Sequence, residues 1–154
     1  MFCCVEGVNM PNFSKRSLTL LEQCHPDLQR VMKEVIKYFD FTVLDSTIRT
    51  EEEQKKLVKE GKSKTLNSKH LKRLVPEYGK EYSFAVDIAP YPINWDDRES
   101  FCYLAGFVLG VANYLFDQGE IGHRIKFGGD WNRNNRTSDE KFSDLPHFEI
   151  IENL

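Results

Sequence analysis

Of the four histidines in this chain, two sit in contexts that suit chemistry. His70 lies in a polar run, Ser68-Lys69-His70, and His147 follows Asp144-Leu145-Pro146. His25, before Pro26, reads as a capping or surface residue, and His123, between Gly122 and Arg124, reads as solvated. Taken singly, a histidine is more often structural than a ligand. Asp87 changes the weighing, because it interrupts the apolar run Phe84-Ala85-Val86-Asp87-Ile88-Ala89. A charge there is costly unless it is paired or bound to metal. A salt bridge to one of the many lysines is the plain account. The sharper one makes His70, Asp87 and His147 a ligand set. Two histidines and one carboxylate hold catalytic zinc with the fourth position open. Zinc in such a site lowers the pKa of a water and polarises a carbonyl.

Hydrolysis at such a site needs a base. Asp144, three residues before His147, reaches the same volume. Glu149 is a rival, since on a strand it shares the face of His147. It would serve as the base or orient an imidazole, and spacing does not choose between the two acids. Arg49 suits a bidentate clamp on a substrate carboxylate; a surface ion pair with Glu51 to Glu53 explains it equally well. Gln54, in the following helical turn, offers one neutral hydrogen bond. A further pattern, Asp130-x-Asn132-x-Asn134 with Asp139 and Glu140, alternates oxygen ligands as a Ca2+ loop does. Arg133 and Arg136 oppose a cation there, so the stronger expectation is a solvated loop ordered by its asparagines.

These residues need elements to position them. Ser14 to Gln23 reads as a short helix. Pro26 opens a second one, whose apolar face is Leu28, Val31, Met32, Val35, Ile36 and Phe39. Phe41 to Ile48 reads as a strand. Thr50 and Glu53 form a capping box for a polar helix that Gly61 ends. Lys62 to Ser83 reads as a long loop, and Phe84 to Ala89 as a short strand. Asp96 to Gln118 is a long helix, apolar nearly all round from Phe101 and therefore expected at the centre. Ile121 to Phe127 is a strand, Gly128 to Pro146 a polar loop, and His147 to Ile151 a closing strand. The class is α+β, a small sheet with helices packed on it.

At 154 residues the chain suits one domain, residues 11–154, with residues 1–10 as an N-terminal extension. Net charge is −3, with no basic stripe, which argues against a nucleic-acid partner. The apolar run from Phe101 to Phe116 is short for a membrane span and reads as a core helix, so no stable membrane insertion is expected. MFCCVEGVNM has neither a basic n-region nor an adequate apolar h-region, so no secretory signal is expected. The four cysteines form no C-x-x-C pair and read as reduced cytoplasmic thiols. A monomer is the expected state.

Several segments together resemble a known family. Ile48-Arg49-Thr50 with Gln54, Ser68-Lys69-His70, Ala85-Val86-Asp87-Ile88-Ala89-Pro90-Tyr91 and Asp144-Leu145-Pro146-His147-Phe148-Glu149 are similar to the M15 zinc peptidases. HPDLQRV, SKRSL and FGGDWN point to the branch of phage endolysins that cleave the L-alanyl–D-glutamate bond of peptidoglycan. The likeness runs from Pro11 onward and implies the small-sheet fold shared by the hedgehog domain and the D-Ala-D-Ala peptidases. It implies one Zn2+ on His70, Asp87 and His147, Asp144 as the base, and Arg49 and Ser68 as substrate holders; Gln54 matches more loosely. It also implies an enzyme that waits in the host cytoplasm and reaches the wall through a separate pore protein. The rival on the same scaffold is a D,D-carboxypeptidase or dipeptidase acting on terminal D-alanine. A rival from another class is a non-catalytic wall-binding module. The chain departs from the family at one place. Sixteen residues separate His70 from Asp87, and Lys72 to Tyr82 reads as an insertion. Loop closure tolerates the extra length, since its entropy cost grows slowly.

Overall fold

Ser14 accepts a hydrogen bond from the Ser17 amide and starts helix α1, Lys15–Leu21. The fold that follows is a computed structural model describing residues 11–152. The N-terminal extension, with Cys3 and Cys4, lies outside the described residues. His25 caps the next helix, α2, Pro26–Val35, its Nδ1 accepting from the Asp27 amide. Proline at the first position costs α2 nothing, because that N–H has no helical partner. The expected apolar face is buried: Leu28, Val31, Met32 and Val35 are fully enclosed. Each such side chain contributes roughly 1.5–3 kcal/mol.

Strand β1 is shorter than expected, Phe41–Val43. The chain then makes a single 3₁₀ turn, Asp45–Thr47. The reason is tertiary. Asp87 uses its carbonyl to accept the Leu44 amide, and Thr47 bonds the Asp87 backbone at both N–H and carbonyl. Helix α3, Glu51–Lys59, has the expected capping box between Thr50 and Glu53. Gly61, at φ +70°, lets the chain turn away after it.

The segment read as a long loop is half structured. Strands β2, Lys72–Val75, and β3, Lys80–Ser83, pair as an antiparallel hairpin. Its residues alternate around water more than around a core, so the period was weak in the sequence. One side of the hairpin is anchored. Val75 is buried, and the buried Ser83 hydroxyl reaches the carbonyls of Thr47, Lys69 and Ala85.

Strand β4, Ala85–Pro90, is buried throughout and pairs with β1 on one side. Its other neighbour is β6, His147–Ile150, which in turn pairs with β5, Ile125–Phe127. The sheet order is therefore β1-β4-β6-β5, antiparallel at every pair. Helix α4, Arg98–Asp117, is long and apolar enough by composition to cross a membrane. It is not buried all round, as its pattern suggested. Phe101, Leu104, Ala105, Val108, Ala112 and Leu115 face inward, whereas Tyr103 and Tyr114 are exposed. Alternating aromatic and small residues hid this one-sidedness. Cys24 and Cys102 are both free thiols, and burial keeps Cys24 protonated.

Strand β5 starts late because the residues before it are engaged elsewhere. Asp27 Oδ2 accepts the amides of Gly122 (3.0 Å) and His123 (2.9 Å) and the Nδ1–H of His123 (2.7 Å). His123 is thus half-buried and paired, not solvated as expected. This carboxylate staples the start of α2 to the turn before β5. Asp27→Ala should lower stability by about 1–3 kcal/mol, since it strands the amides it now satisfies. Urea denaturation checks this: the midpoint should fall at unchanged slope.

Candidate active site

Asp87 and His147 are cross-strand partners on β4 and β6, so their side chains leave the same face of the sheet. His70 comes from a turn rather than a strand. Its carbonyl accepts the Arg49 amide, the preceding Lys69 carbonyl accepts the Phe84 amide, and Ser68 Oγ accepts the His70 amide. These bonds press the turn against the end of β4. The outcome is a buried triangle. His70 Nε2 lies 3.0 Å from His147 Nδ1, and each lies 3.2 Å from Asp87 Oδ1.

The outer contacts decide which atoms face inward. His70 Nδ1 is 3.0 Å from the Thr47 carbonyl, which can only accept, so Nδ1 carries the proton. His147 Nε2 is 2.9 Å from Glu149 Oε2, and the same logic makes it a donor. With their outer nitrogens donating, both rings turn their inner nitrogens, His70 Nε2 and His147 Nδ1, toward Asp87 Oδ1. Asp87 Oδ2 is occupied on its other side by the Ser46 hydroxyl at 2.7 Å, with Arg49 at 3.8 Å. Glu149 is steadied by Lys126 at 3.0 Å. Metal-ligating histidines typically have such outer acceptors. The three residues form a group that could hold a metal ion.

Electrostatics follow from this crowding. Burial opposes ionisation of Asp87, but hydrogen bonds from His147 and His70 outweigh it and hold the carboxyl far below its ordinary range. Burial opposes charge on His147 too, yet the Asp87 and Glu149 contacts raise it to about 9. For Glu149, burial is outweighed by the His147 and Lys126 contacts, which bring it to about 2. Asp144 moves the other way: burial, then the charge of Asp87, raise its pKa. A raised carboxyl beside a polar cluster is suited to exchanging protons.

A cleft of about 430 Å³ opens over the cluster, with Arg49, Ser68, Trp131, Phe142 and Asp144 on its walls. The structure thus brings seven of the eight residues singled out from sequence for this site, Glu149 among them, to one place. Gln54 is the exception, since it does not line the cleft. It is buried, with Nε2 donating to Ser63 Oγ (2.8 Å) and the Thr65 carbonyl (2.6 Å), and Oε1 accepting from Arg49 at 3.2 Å. Gln54 positions Arg49 and the cleft rim. Arg49 does not pair with Glu51 to Glu53 as the surface alternative held. It is tied to Ser46, Gln54 and Asp87.

Thr47, Ser46 and Trp131 escaped notice as individual residues. Thr47 and Ser46 lay in a stretch that read as strand. Trp131 packs its ring 5.5 Å from His147, and its Nε1–H is buried without a protein partner among the described residues. The signal for it was local, in the motif FGGDWN. That motif has a second use. A Cβ on Gly128 would lie 2.4 Å from the Asp144 carbonyl oxygen and 3.0 Å from His147 Cβ. Only glycine lets the turn that carries both residues close.

A second group, His25, Asp27 and His123, also gathers three ligand atoms. Its atoms are already engaged, as the Asp27 and His25 bonds above show. In the loop after Gly128, Asp130 accepts the amides of Asn134 and Asn135, and Asp139 accepts from Asn134 and Asn132. The asparagines order that loop as expected, with Arg133 and Asn135 in the left-handed region.

A small antiparallel sheet that delivers two histidines and a carboxylate to a cleft with an acid beside them defines a peptidase with a metal-capable site. Comparison with known proteins narrows the class. The pattern of the phage L-alanyl-D-glutamate peptidases matches residues 10–151, and the chain belongs to that family. The L-alanyl-D-glutamate peptidase of Escherichia phage T5 is 28% identical over 135 residues, which cover 83% of this chain and 87% of that one. The crystal structure of the Serratia marcescens L-Ala D-Glu endopeptidase ChiX aligns with a TM-score of 0.68 and 26% identity, over 95% of this chain and 94% of that one. The protein is a peptidoglycan-hydrolysing enzyme of the endolysin type.

Gly128→Ala tests the closeness of the Asp144–His147 turn. It should cost roughly 1–3 kcal/mol of stability through overpacking. It should also depress hydrolysis more than the lost stability explains, in assays below the melting transition.

Proposed function

We propose that the chain hydrolyses the L-alanyl–D-glutamate bond of the peptidoglycan stem peptide with one zinc ion on His70, Asp87 and His147. The observation that carries this reading is the triangle of inward-facing acceptors. Two nitrogens and an oxygen suit zinc, which favours imidazole and carboxylate donors in tetrahedral sites. Donors about 2.0–2.1 Å from a tetrahedral ion stand about 3.3 Å apart. The observed separations of 3.0–3.2 Å need little adjustment. A bound zinc supplies Lewis acidity, lowering the pKa of a water and polarising the scissile carbonyl.

The chain's own groups do the rest. Arg49, held by Ser46 and Gln54, offers its remaining guanidinium edge to a carboxylate of the stem peptide. Ser68 accepts the His70 amide, which leaves its O–H to donate to the same substrate. Asp144 takes a proton from the attacking water, and its raised pKa keeps that proton bound until the amine leaves. Asp144 then gives the proton to the leaving nitrogen of D-glutamate, which departs as a free amine. Phe142 and Trp131 stack over the cleft and screen it from bulk water. The free chain should be monomeric, accumulate in the host cytoplasm and act on the wall once admitted to it.

Digestion of purified peptidoglycan, with and without chelator and then added zinc, tests the whole reading. Mass spectrometry should find new D-glutamyl amino termini, lost on chelation and restored by zinc. Release of D-alanine in their place would select the D,D-carboxypeptidase. Asp144→Ala should keep zinc, measured by elemental analysis, and lose about 10²–10⁴ of the rate. His147→Ala should lose both zinc and activity. Zinc lost from Asp144→Ala would instead make Asp144 a ligand.

A further inference from the structure

Arg49 and Asn67 line two cavities. One is the cleft above the cluster, and the other is a neighbouring groove of about 410 Å³. The β2–β3 hairpin forms much of the groove's wall through Leu71, Lys72 and Arg73. Arg73 ties the hairpin to the site: it donates to Asn67 Oδ1 at 3.0 Å and to the Ser68 carbonyl at 3.4 Å. Lys72 meets the neutral Gln23 Oε1 at 2.7 Å, so its charge stays uncompensated by that contact. Glu51 is the carboxylate of the lining, and its partner is Lys55 at 3.7 Å. Arg73 also approaches Glu152 at 3.5 Å, an acid that Lys69 already holds. The lining itself carries the cations Arg49, Lys72 and Arg73 to the one acid Glu51; Asp87 and Glu152 stand behind the two arginines, outside the lining, and Lys72 has neither.

Resting on the peptidase reading above, we propose that this groove is a second substrate subsite, which takes a free carboxylate on the residue that follows D-glutamate in the stem peptide. The argument is charge and continuity. Glutamate carries two carboxyl groups, and only one continues the chain. The other is the natural partner of Arg49 in the cleft. The peptide beyond it must leave the cleft, and the adjoining groove shares Arg49 and Asn67 with it. A carboxylate arriving there meets Lys72 and Arg73, whose planar fork suits an acid group. A solvated basic face would need no tie to the Ser68 turn, whereas Arg73 makes one. The hairpin would therefore set which wall chemistry is cut fastest, since stem-peptide carboxylates occur both free and amidated.

The test uses two synthetic stem peptides with the L-alanyl–D-glutamyl bond. They are identical except that the next residue's side-chain carboxylate is free in one and amidated in the other. The wild-type chain should prefer the acid about five- to tenfold in kcat/KM, mostly through KM, as one partly exposed charged contact allows. Lys72→Glu should bring that preference to about twofold or less, while Lys72→Arg restores it. Lys72 is exposed and, among the described residues, its side chain meets the neutral Gln23, so the melting temperature of Lys72→Glu should stay near that of the wild type. Raised salt should also reduce the preference. An equal ratio in the wild type and Lys72→Glu would overturn the subsite and leave the peptidase reading intact. Failure of the wild type to cut either peptide would overturn that reading and the subsite with it.

Discussion

Three hydrogen-bond acceptors share one buried point, and the architecture around them answers to that constraint. His70 Nε2, His147 Nδ1 and Asp87 Oδ1 face one another at 3.0–3.2 Å because their other polar atoms are already engaged. Lone pairs held this close repel unless a proton or a cation sits among them. Burial opposes charge on His147, and its contacts with Asp87 and Glu149 raise its pKa nonetheless. A divalent ion does the same work with a larger charge and no need for a protonated ring.

Those partners come from every part of the fold. The antiparallel register of β4 and β6 sets Asp87 opposite His147. Thr47 is the hinge of the arrangement: its side chain clamps the Asp87 backbone and its carbonyl orients His70. Glu149 and Lys126, also paired across strands, hold His147 from behind. Gly128 allows the last turn to approach closely enough that Asp144 stands over the cluster. Strands thus carry Asp87 and His147, and turns locked by hydrogen bonds carry His70 and Asp144.

The cleft rim follows a different rule. Gln54 gives up all contact with the cleft to fix Arg49 and residues 63–65. The hairpin between His70 and Asp87 adds a cationic wall without disturbing the ligands, because Ser83 and Val75 anchor its inner face. The rim segments thus keep exposed faces, whereas His70, Asp87 and His147 beneath them are buried.

Much of this was legible from residues alone. The α2 face, the α3 capping box, the apolar strand carrying Asp87 and the closing strand with His147 all have local causes, namely periodicity, caps and the cost of a buried charge. Those causes act over a few residues, so a one-dimensional reading reaches them. The resemblance of short motifs added the order of ligands and the choice of Asp144 over Glu149, which spacing left open. Other features depended on contacts remote in sequence. Strand β1 stops early because Asp87, remote in sequence, captures Leu44 and Thr47. His123 is paired because Asp27 lies against it. The hairpin escaped detection because its polar residues face water and show no strong period. Gln54 turned inward because the helix angle, not the residue type, decides which way a side chain points. Sequence alone determined which groups were available and which elements bear them. Only the tertiary structure decided which lone pairs meet, because meeting depends on strand register and turn closure across the whole chain.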